Sequence, residues 1–309
     1  MFSIIICTYN GSKKIGHVLD CVLRQNAFYE KVDELIVVDN NSSDKTGDII
    51  KEYAKCNEKI KYIFESKPGL SNARACGVQN CNSEWIIFLD DDNYIEQEWI
   101  IGVDDYIAEN PDVGAFNGNV IPLFDRELTS DEQTRLDVVY LGLACTSSSE
   151  ELVYHDPKEW LPFGAGLVIR TEPLKQLLAN GWLKSEGRKQ DSVISGEDTE
   201  MVLHIVSSGY STGFCNDVVL RHDIGIKRLE IEYLKKLYYS FGVAHYWSIS
   251  SKKLGNLRVL KYGMLSKLRL MSINLRSKDK KLSKHEYYTD VLEKCRVIGF
   301  FDAVHKRIL

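Results

Sequence analysis

The chain has 309 residues, 44% apolar and 27% charged, which suits one large α/β domain with an appendage or two modest domains. Its net charge of −5 hides an asymmetry: residues 221–309 carry 20 Lys and Arg against 8 Asp and Glu, and the first 220 carry 19 against 36. An acidic body excludes nucleic acid as the main partner, whereas a basic tail suits anionic lipid, an acidic substrate or the acidic body itself.

The first apolar run, Phe2 to Thr8 (FSIIICT), has the continuous pattern of a strand buried on both faces. No basic stretch precedes it, and no run approaches the ~20 apolar residues that cross a bilayer, so we expect a cytoplasmic chain with neither secretory signal nor membrane span. Tyr9-Asn10-Gly11-Ser12 ends the strand, and an amphipathic stretch over residues 15–25 follows. A second buried strand, ELIVV, ends at Asp39; the cap-rich turn NNSSD leads into a helix over residues 46–54. Residues 60–64 read as a third strand, and residues 69–78 as a loop entering a helix. WIIFL is a fourth buried strand, ending at Asp90. Residues 98–109 read as helix and 113–121 as strand. Apolar strands alternating with helices imply a mostly parallel sheet covered on both faces, with ligands beyond the carboxyl ends of its strands. Thr8-Tyr9-Asn10, Asp39 and Asp90-Asp91-Asp92 would therefore gather at one edge. Beyond residue 225 the period becomes helical, and the boundary is placed there. The eight cysteines form no CxxC pair and no zinc spacing, so reduced thiols are expected.

Three adjacent aspartates raise one another's pKa, and a divalent cation removes the conflict. Hard oxygen ligands suit Mg²⁺ or Mn²⁺. Taken alone, the triplet serves equally as a helix cap with an acidic first turn.

The ordered set SIIICTYNG, LIVVDNNSSDKT, KPGLSNARACG and IIFLDDDN, with Ser195-Gly196-Glu197-Asp198-Thr199-Glu200 further on, closely resembles family 2 glycosyltransferases with the GT-A fold. The resemblance spans about 220 residues and implies a GT-A catalytic domain over residues 1–225. Its donor half would be 1–122 and its acceptor half 123–225, with a basic helical region over 226–309. It implies that Thr8, Tyr9 and Asn10 line the nucleoside pocket, that Asp39 binds the base, most often uracil, and that Arg74 approaches the base or diphosphate. Asp91 would touch the ribose, Asp92 would ligate the metal, and Asp90 would be structural. Read without the resemblance, Asp39 is a turn cap and Arg74 a surface ion-pair residue.

Glu197-Asp198 is the candidate for general base work, because an acceptor hydroxyl attacks an anomeric carbon well only when a carboxylate takes its proton. The resemblance gives that role to Asp198 and acceptor binding or orientation to Glu197; the pair is also a good helix start. His222 follows an apolar run where several family members place a metal-binding His, although a lone His is more often structural. Trp160, Gly164, Ala165 and Gly166 lie in a segment that the family uses for donor sugar and acceptor. The same segment reads as a tight turn entering a strand.

These readings converge on an inverting, metal-dependent transfer from a nucleotide-sugar donor to a hydroxyl of a saccharide or polyprenyl-linked saccharide acceptor, in surface polysaccharide synthesis. A sugar-nucleotide nucleotidyltransferase is the alternative enzyme, and a catalytically silent nucleotide- or sugar-binding relative the alternative without catalysis. CTYNGSKK lacks the Gly-rich basic signature of the former. In the tail, Leu257, Leu260, Met264, Leu268, Met271 and Leu275 recur at helical spacing, with Arg258, Lys261, Lys267, Arg269 and Arg276 off that stripe. The stripe fits an anionic membrane surface, at the cytoplasmic face, or packing on the body.

Overall fold

The computed structural model describes residues 1–146, 161–183, 196–250, 255–276 and 282–308. It divides into two compact units. The first comprises residues 1–123, 144–190 and 197–224, and the second 124–143, 191–196 and 225–309.

In chain order the elements are β1 (Phe2–Thr8), α1 (Ile15–Leu23), α2 (Phe28–Lys31), β2 (Val32–Asp39), α3 (Thr46–Cys56), β3 (Ile60–Phe64), α4 (Leu70–Asn80), β4 (Trp85–Asp90), β5 (Asn93–Ile95), α5 (Trp99–Glu109) and β6 (Val113–Leu123). The chain then gives α6 (Ser130–Val139) to the second unit. It returns to the first as β7 (Leu167–Arg170), α7 (Thr171–Ala179), α8 (Glu197–Ser207) and β8 (Ser211–Asp223). The helices α9 (Ile231–Ser250), α10 (Gly255–Arg276) and α11 (Lys284–Ile308) complete the second unit.

The first unit is built on an eight-stranded sheet in the order β3-β2-β1-β4-β7-β6-β8-β5. Strands β3, β2, β1 and β4 run parallel. β7 enters antiparallel between β4 and β6, β8 runs parallel to β6, and the short β5 runs antiparallel along β8. Every residue of β1 is buried, because successive side chains point to opposite, equally covered faces. Phe2, Ile4 and Ile6 meet Ile15, Val18, Leu19 and Val22 of α1 with Trp99, Ile100 and Val103 of α5. Ile5 and Cys7 meet Ala73 and Val78 of α4, Leu174 of α7 and Met201, Val202 and Ile205 of α8. Each fully buried Ile or Leu contributes about 2 kcal/mol through area removed from water.

The parallel half behaves as its apolar runs require, with β1, β2 and β4 ending side by side at Thr8, Asp39 and Asp90. β5 begins only three residues after β4 ends, a reach of about 10 Å. The far end of β8, whose His222 faces Asn93 in register, is therefore held close to the end of β4. All eight cysteines are free thiols. Burial pushes the Cys7 thiol up to about 12 and that of Cys81 up to about 11, which keeps both protonated.

In the second unit, α6 opens on a reciprocal cap: the Thr129 side chain accepts from the Glu132 amide while Glu132 accepts from the Thr129 amide. Tyr246 of α9 packs with Phe300 and Ala303 of α11, and Val259 and Tyr262 of α10 close that cluster. Arg276 of α10 donates to Asp290 of α11 at 2.7 Å, and Arg269 pairs with Glu293. Among the described residues no helix is long and apolar enough to cross a membrane.

Candidate active site

All the described candidate residues lie in the first unit. The loops after β1 and β2 are laced together beyond the carboxyl ends of their strands. Asn10, with φ of 53°, donates its amide to Ser42 Oγ, and its side-chain oxygen accepts from the Ser43 amide at 2.8 Å. Asp44 is exposed; it accepts from the Ser12 amide and from Thr46, and against desolvation these bonds together hold its carboxyl down at about 2. Asp39 is buried, with one oxygen accepting from the Ser42 amide at 2.9 Å and the other from the Tyr62 hydroxyl at 3.1 Å. It thus does cap its turn, at the carboxyl end of β2. Thr8 is buried and donates to Asp91 at 2.5 Å, whereas Tyr9 is exposed. Gly11 covers this pair so closely that a Cβ there would collide with both Thr8 Oγ1 and Asp91 Oδ2.

The three aspartates separate by environment. Asp90 stays half-exposed, its amide donating to Asn93 Oδ1 at 3.0 Å. Burial pushes the Asp91 carboxyl up to about 7, with the negative charge of Asp92 adding to the effect and the Thr8 hydrogen bond opposing it. Asp92 is buried; its Oδ1 accepts from Asn93 Nδ2 at 3.2 Å and lies 3.4 Å from His222 Nε2. A carboxylate oxygen and an imidazole nitrogen at this separation match two neighbouring positions around an octahedral cation. Among the described residues no cluster of three or more His, Cys, Asp or Glu side chains is arranged to hold a metal. The protein thus offers a two-donor set of the type that Mg²⁺ or Mn²⁺ completes with phosphate oxygens and water.

Arg74, on α4, is not at the surface. It is 2% exposed and pairs with Glu197 Oε1 at 3.1 Å and Asp90 Oδ1 at 3.7 Å. Burial works against its charge, and the carboxylates of Glu197, Asp90 and Asp198 more than restore it. Gly164 lies against its guanidinium, where a Cβ would come within 2.5 Å of Nη2. The guanidinium is thus engaged with the protein's own acids, which argues for a framework part in the site.

Glu197 and Asp198 begin α8. Asp198 Oδ2 accepts from the Gly164 amide at 2.9 Å and Oδ1 from the Thr199 amide at 2.7 Å, so two backbone donors fix its carboxylate. Ala165 is buried, and Gly166 has φ of +66° where the chain turns into β7. Gly164 and Asp198 are brought together. Trp160 and Ser195 lie outside the described residues.

Sequence reasoning missed Lys14, Tyr94 and Asp223. Lys14 Nζ donates to the Asp223 carbonyl at 2.9 Å and pairs with its carboxylate at 3.0 Å; the Tyr94 hydroxyl donates to the same carboxylate at 3.1 Å. The Asp223 amide donates to the Asp92 carbonyl at 2.9 Å. These bonds hold the end of β8, and with it His222, against the triplet. Only the position of Asp223, directly after His222, hints at this in the sequence.

The family model for glycosyl transferase family 2 matches residues 3–137. The chain is 29% identical over 132 residues to glycosyltransferase GlyA of Streptococcus pneumoniae, covering 38% of this chain and 18% of that protein. It is 29% identical over 143 residues to the poly(ribitol-phosphate) beta-N-acetylglucosaminyltransferase TarS of Staphylococcus aureus, covering 44% and 25%. It therefore matches about a fifth to a quarter of the length of these two curated relatives. Among solved structures, the mannosyltransferase PcManGT from Pyrobaculum calidifontis, in complex with GDP-Man and Mn²⁺, superposes with a TM-score of 0.65 at 16% identity, over 99% of this chain and 87% of that one. S. aureus TarS 1–349 in complex with UDP-GlcNAc superposes with a TM-score of 0.53 at 16% identity, over 96% and 92%. At such identities the likeness speaks to architecture, and the architecture is the GT-A fold expected from the motifs. The matched segment carries β1 to β6 and the aspartate triplet, and over these residues the chain is similar to glycosyl transferase family 2.

Proposed function

We propose that the chain is an inverting, divalent-metal-dependent glycosyltransferase that moves a sugar from a nucleotide-sugar to a hydroxyl of a saccharide or lipid-linked saccharide. The observation that carries this reading is the buried Asp92–His222 pair, 3.4 Å apart at the ends of β4 and β8, beside the β1 and β2 loops. A bound Mn²⁺ or Mg²⁺ there would neutralise charge on the diphosphate leaving group. Asp92 and His222 would hold it. Thr8, Tyr9, Asn10 and Asp39 border the region that a nucleoside would fill, and Asp91, tied to Thr8, would meet the ribose. Asp198, fixed by the Gly164 and Thr199 amides, would accept the proton of the acceptor hydroxyl as it attacks the anomeric carbon. With Glu197 engaged by Arg74, the pair of acids divides its work: Glu197 orients and Asp198 reacts. A single displacement inverts the anomeric carbon.

TarS is a poly(ribitol-phosphate) beta-N-acetylglucosaminyltransferase seen with UDP-GlcNAc, and PcManGT is a mannosyltransferase seen with GDP-Man, which supports a nucleoside diphosphate sugar as donor. Calorimetric titration with UDP- and GDP-sugars, with and without Mn²⁺, tests the reading. Binding that requires Mn²⁺ and is lost in Asp92→Asn is expected; metal-independent binding, unaffected by that substitution, would refute it.

A further inference from the structure

We propose that the outward face of α10 is a docking surface for an anionic lipid bilayer. The helix is apolar on two sides. Val259, Tyr262, Ser266, Leu270 and Ile273 recur at three- and four-residue spacing and turn inward, buried or half-buried. At 100° per residue the other stripe, Leu260, Met264, Leu268, Met271 and Leu275, falls within roughly 80° of arc on the opposite side. These five side chains are 60%, 56%, 63%, 62% and 68% exposed. A contiguous row of large, mostly exposed apolar groups is a binding surface, unlike a scatter of single ones.

Charge selects the occupant. Residues 255–276 contain no Asp or Glu and five basic residues. Arg269 and Arg276 reach back to Glu293 and Asp290 of α11. Lys261 and Lys267 stand exposed on the two flanks of the apolar stripe. A second copy of the same face would set lysine against lysine with no acid on α10 to answer it. A surface of anionic headgroups over acyl chains answers both features, since the stripe sinks to the headgroup–acyl boundary while flanking lysines meet phosphate. The helix lies in that plane, because it is not apolar enough to cross.

The proposal stands apart from the donor-site chemistry, and its test needs no substrate. The full chain is sedimented with vesicles of phosphatidylglycerol and phosphatidylcholine, and with phosphatidylcholine alone, at low and physiological salt. Its mass is read by light scattering in parallel. Binding to the anionic vesicles only, weakening as salt rises, is expected. Leu268→Ser with Met271→Ser should lower the partition coefficient at least ~10-fold, because it removes two of five inserting side chains. Lys261→Gln with Lys267→Gln should lower it about as much. Both variants should melt with the parent, as the altered side chains are solvent-facing. The proposal is overturned if the parent fails to prefer anionic vesicles, or if neither variant loses binding. It is equally overturned if the parent is a dimer that Leu268→Ser with Met271→Ser dissociates.

Discussion

Arg74 is gripped by acids that the chain brings from distant places, Asp90 at the end of β4 and Glu197 at the start of α8. The sequence offers it as a group that approaches the base or the diphosphate; the pairing of this buried position on α4 with a remote Glu is a feature that one sequence does not display. Around it, the aspartates of the triplet carry different loads. Asp92→Asn should remove the Mn²⁺ response and lower turnover at least ~100-fold, with the protein still folded. Asp90→Asn leaves Arg74 its stronger partner, so it should cost about 1 kcal/mol of stability and little activity. Parallel chemical denaturation and initial-rate measurements separate these effects, and the reverse pattern would overturn the assignment. Lys14 acts through Asp223 on the end of β8. Lys14→Met should weaken Mn²⁺ affinity about tenfold, read by the paramagnetic resonance of bound Mn²⁺, and Lys14→Arg should restore much of it. Unchanged Mn²⁺ affinity in Lys14→Met would show that the Lys14–Asp223 contact does not position His222.

At the scale of elements, the site depends on a few ties between strands and helices. Glu197→Ala strands the Arg74 guanidinium in a buried place between α4, β4 and α8, and equilibrium unfolding should reveal a loss of about 3–5 kcal/mol. A loss under about 1 kcal/mol would mean that Asp90 alone suffices. Near the amino ends of the strands, Glu34 accepts from Ser3 Oγ at 2.7 Å, the Asn82 amide at 2.7 Å and Lys61 at 2.5 Å. Burial alone would raise its carboxyl, and these three donors hold it below the usual range. A lowered carboxyl stabilises the fold above its unfolded pKa, and that contribution is lost as pH falls through the folded value. Glu34→Gln should therefore be less stable than the parent by about 2 kcal/mol at pH 7, with the gap closing below about pH 4. A gap independent of pH would show that shape, not charge, is what Gln lacks.

The same scale explains what could be read in advance. β1, β2 and β4 were legible because a strand covered on both faces needs an unbroken apolar run, and their ends located Thr8, Asp39 and Asp90. β5 was not, because Asn-Tyr-Ile has no period and is a strand only through β8, some 130 residues away. The Lys14–Asp223 contact was hidden for the same reason. In α10 the legible stripe from Leu260 to Leu275 faces solvent, while the buried face, interrupted by Ser266, passed unnoticed.

At the scale of the whole molecule, the first 220 residues are acidic and the remainder basic, and the chain divides into two units. The first unit gathers the carboxylates around the strand ends, and the second presents a basic helix with an apolar outer face. The central claim concerns the first unit: Asp198 takes the proton of an acceptor hydroxyl while the nucleoside diphosphate departs. The most direct measurement is nucleoside diphosphate release from a responsive nucleotide-sugar with Mn²⁺ and acceptor, comparing the parent with Asp198→Asn and measuring donor affinity alongside. We predict release by the parent, a fall of about 10³-fold in Asp198→Asn and donor affinity within about threefold of the parent. Equal release by both proteins, or no release from any nucleotide-sugar that binds, would contradict the account.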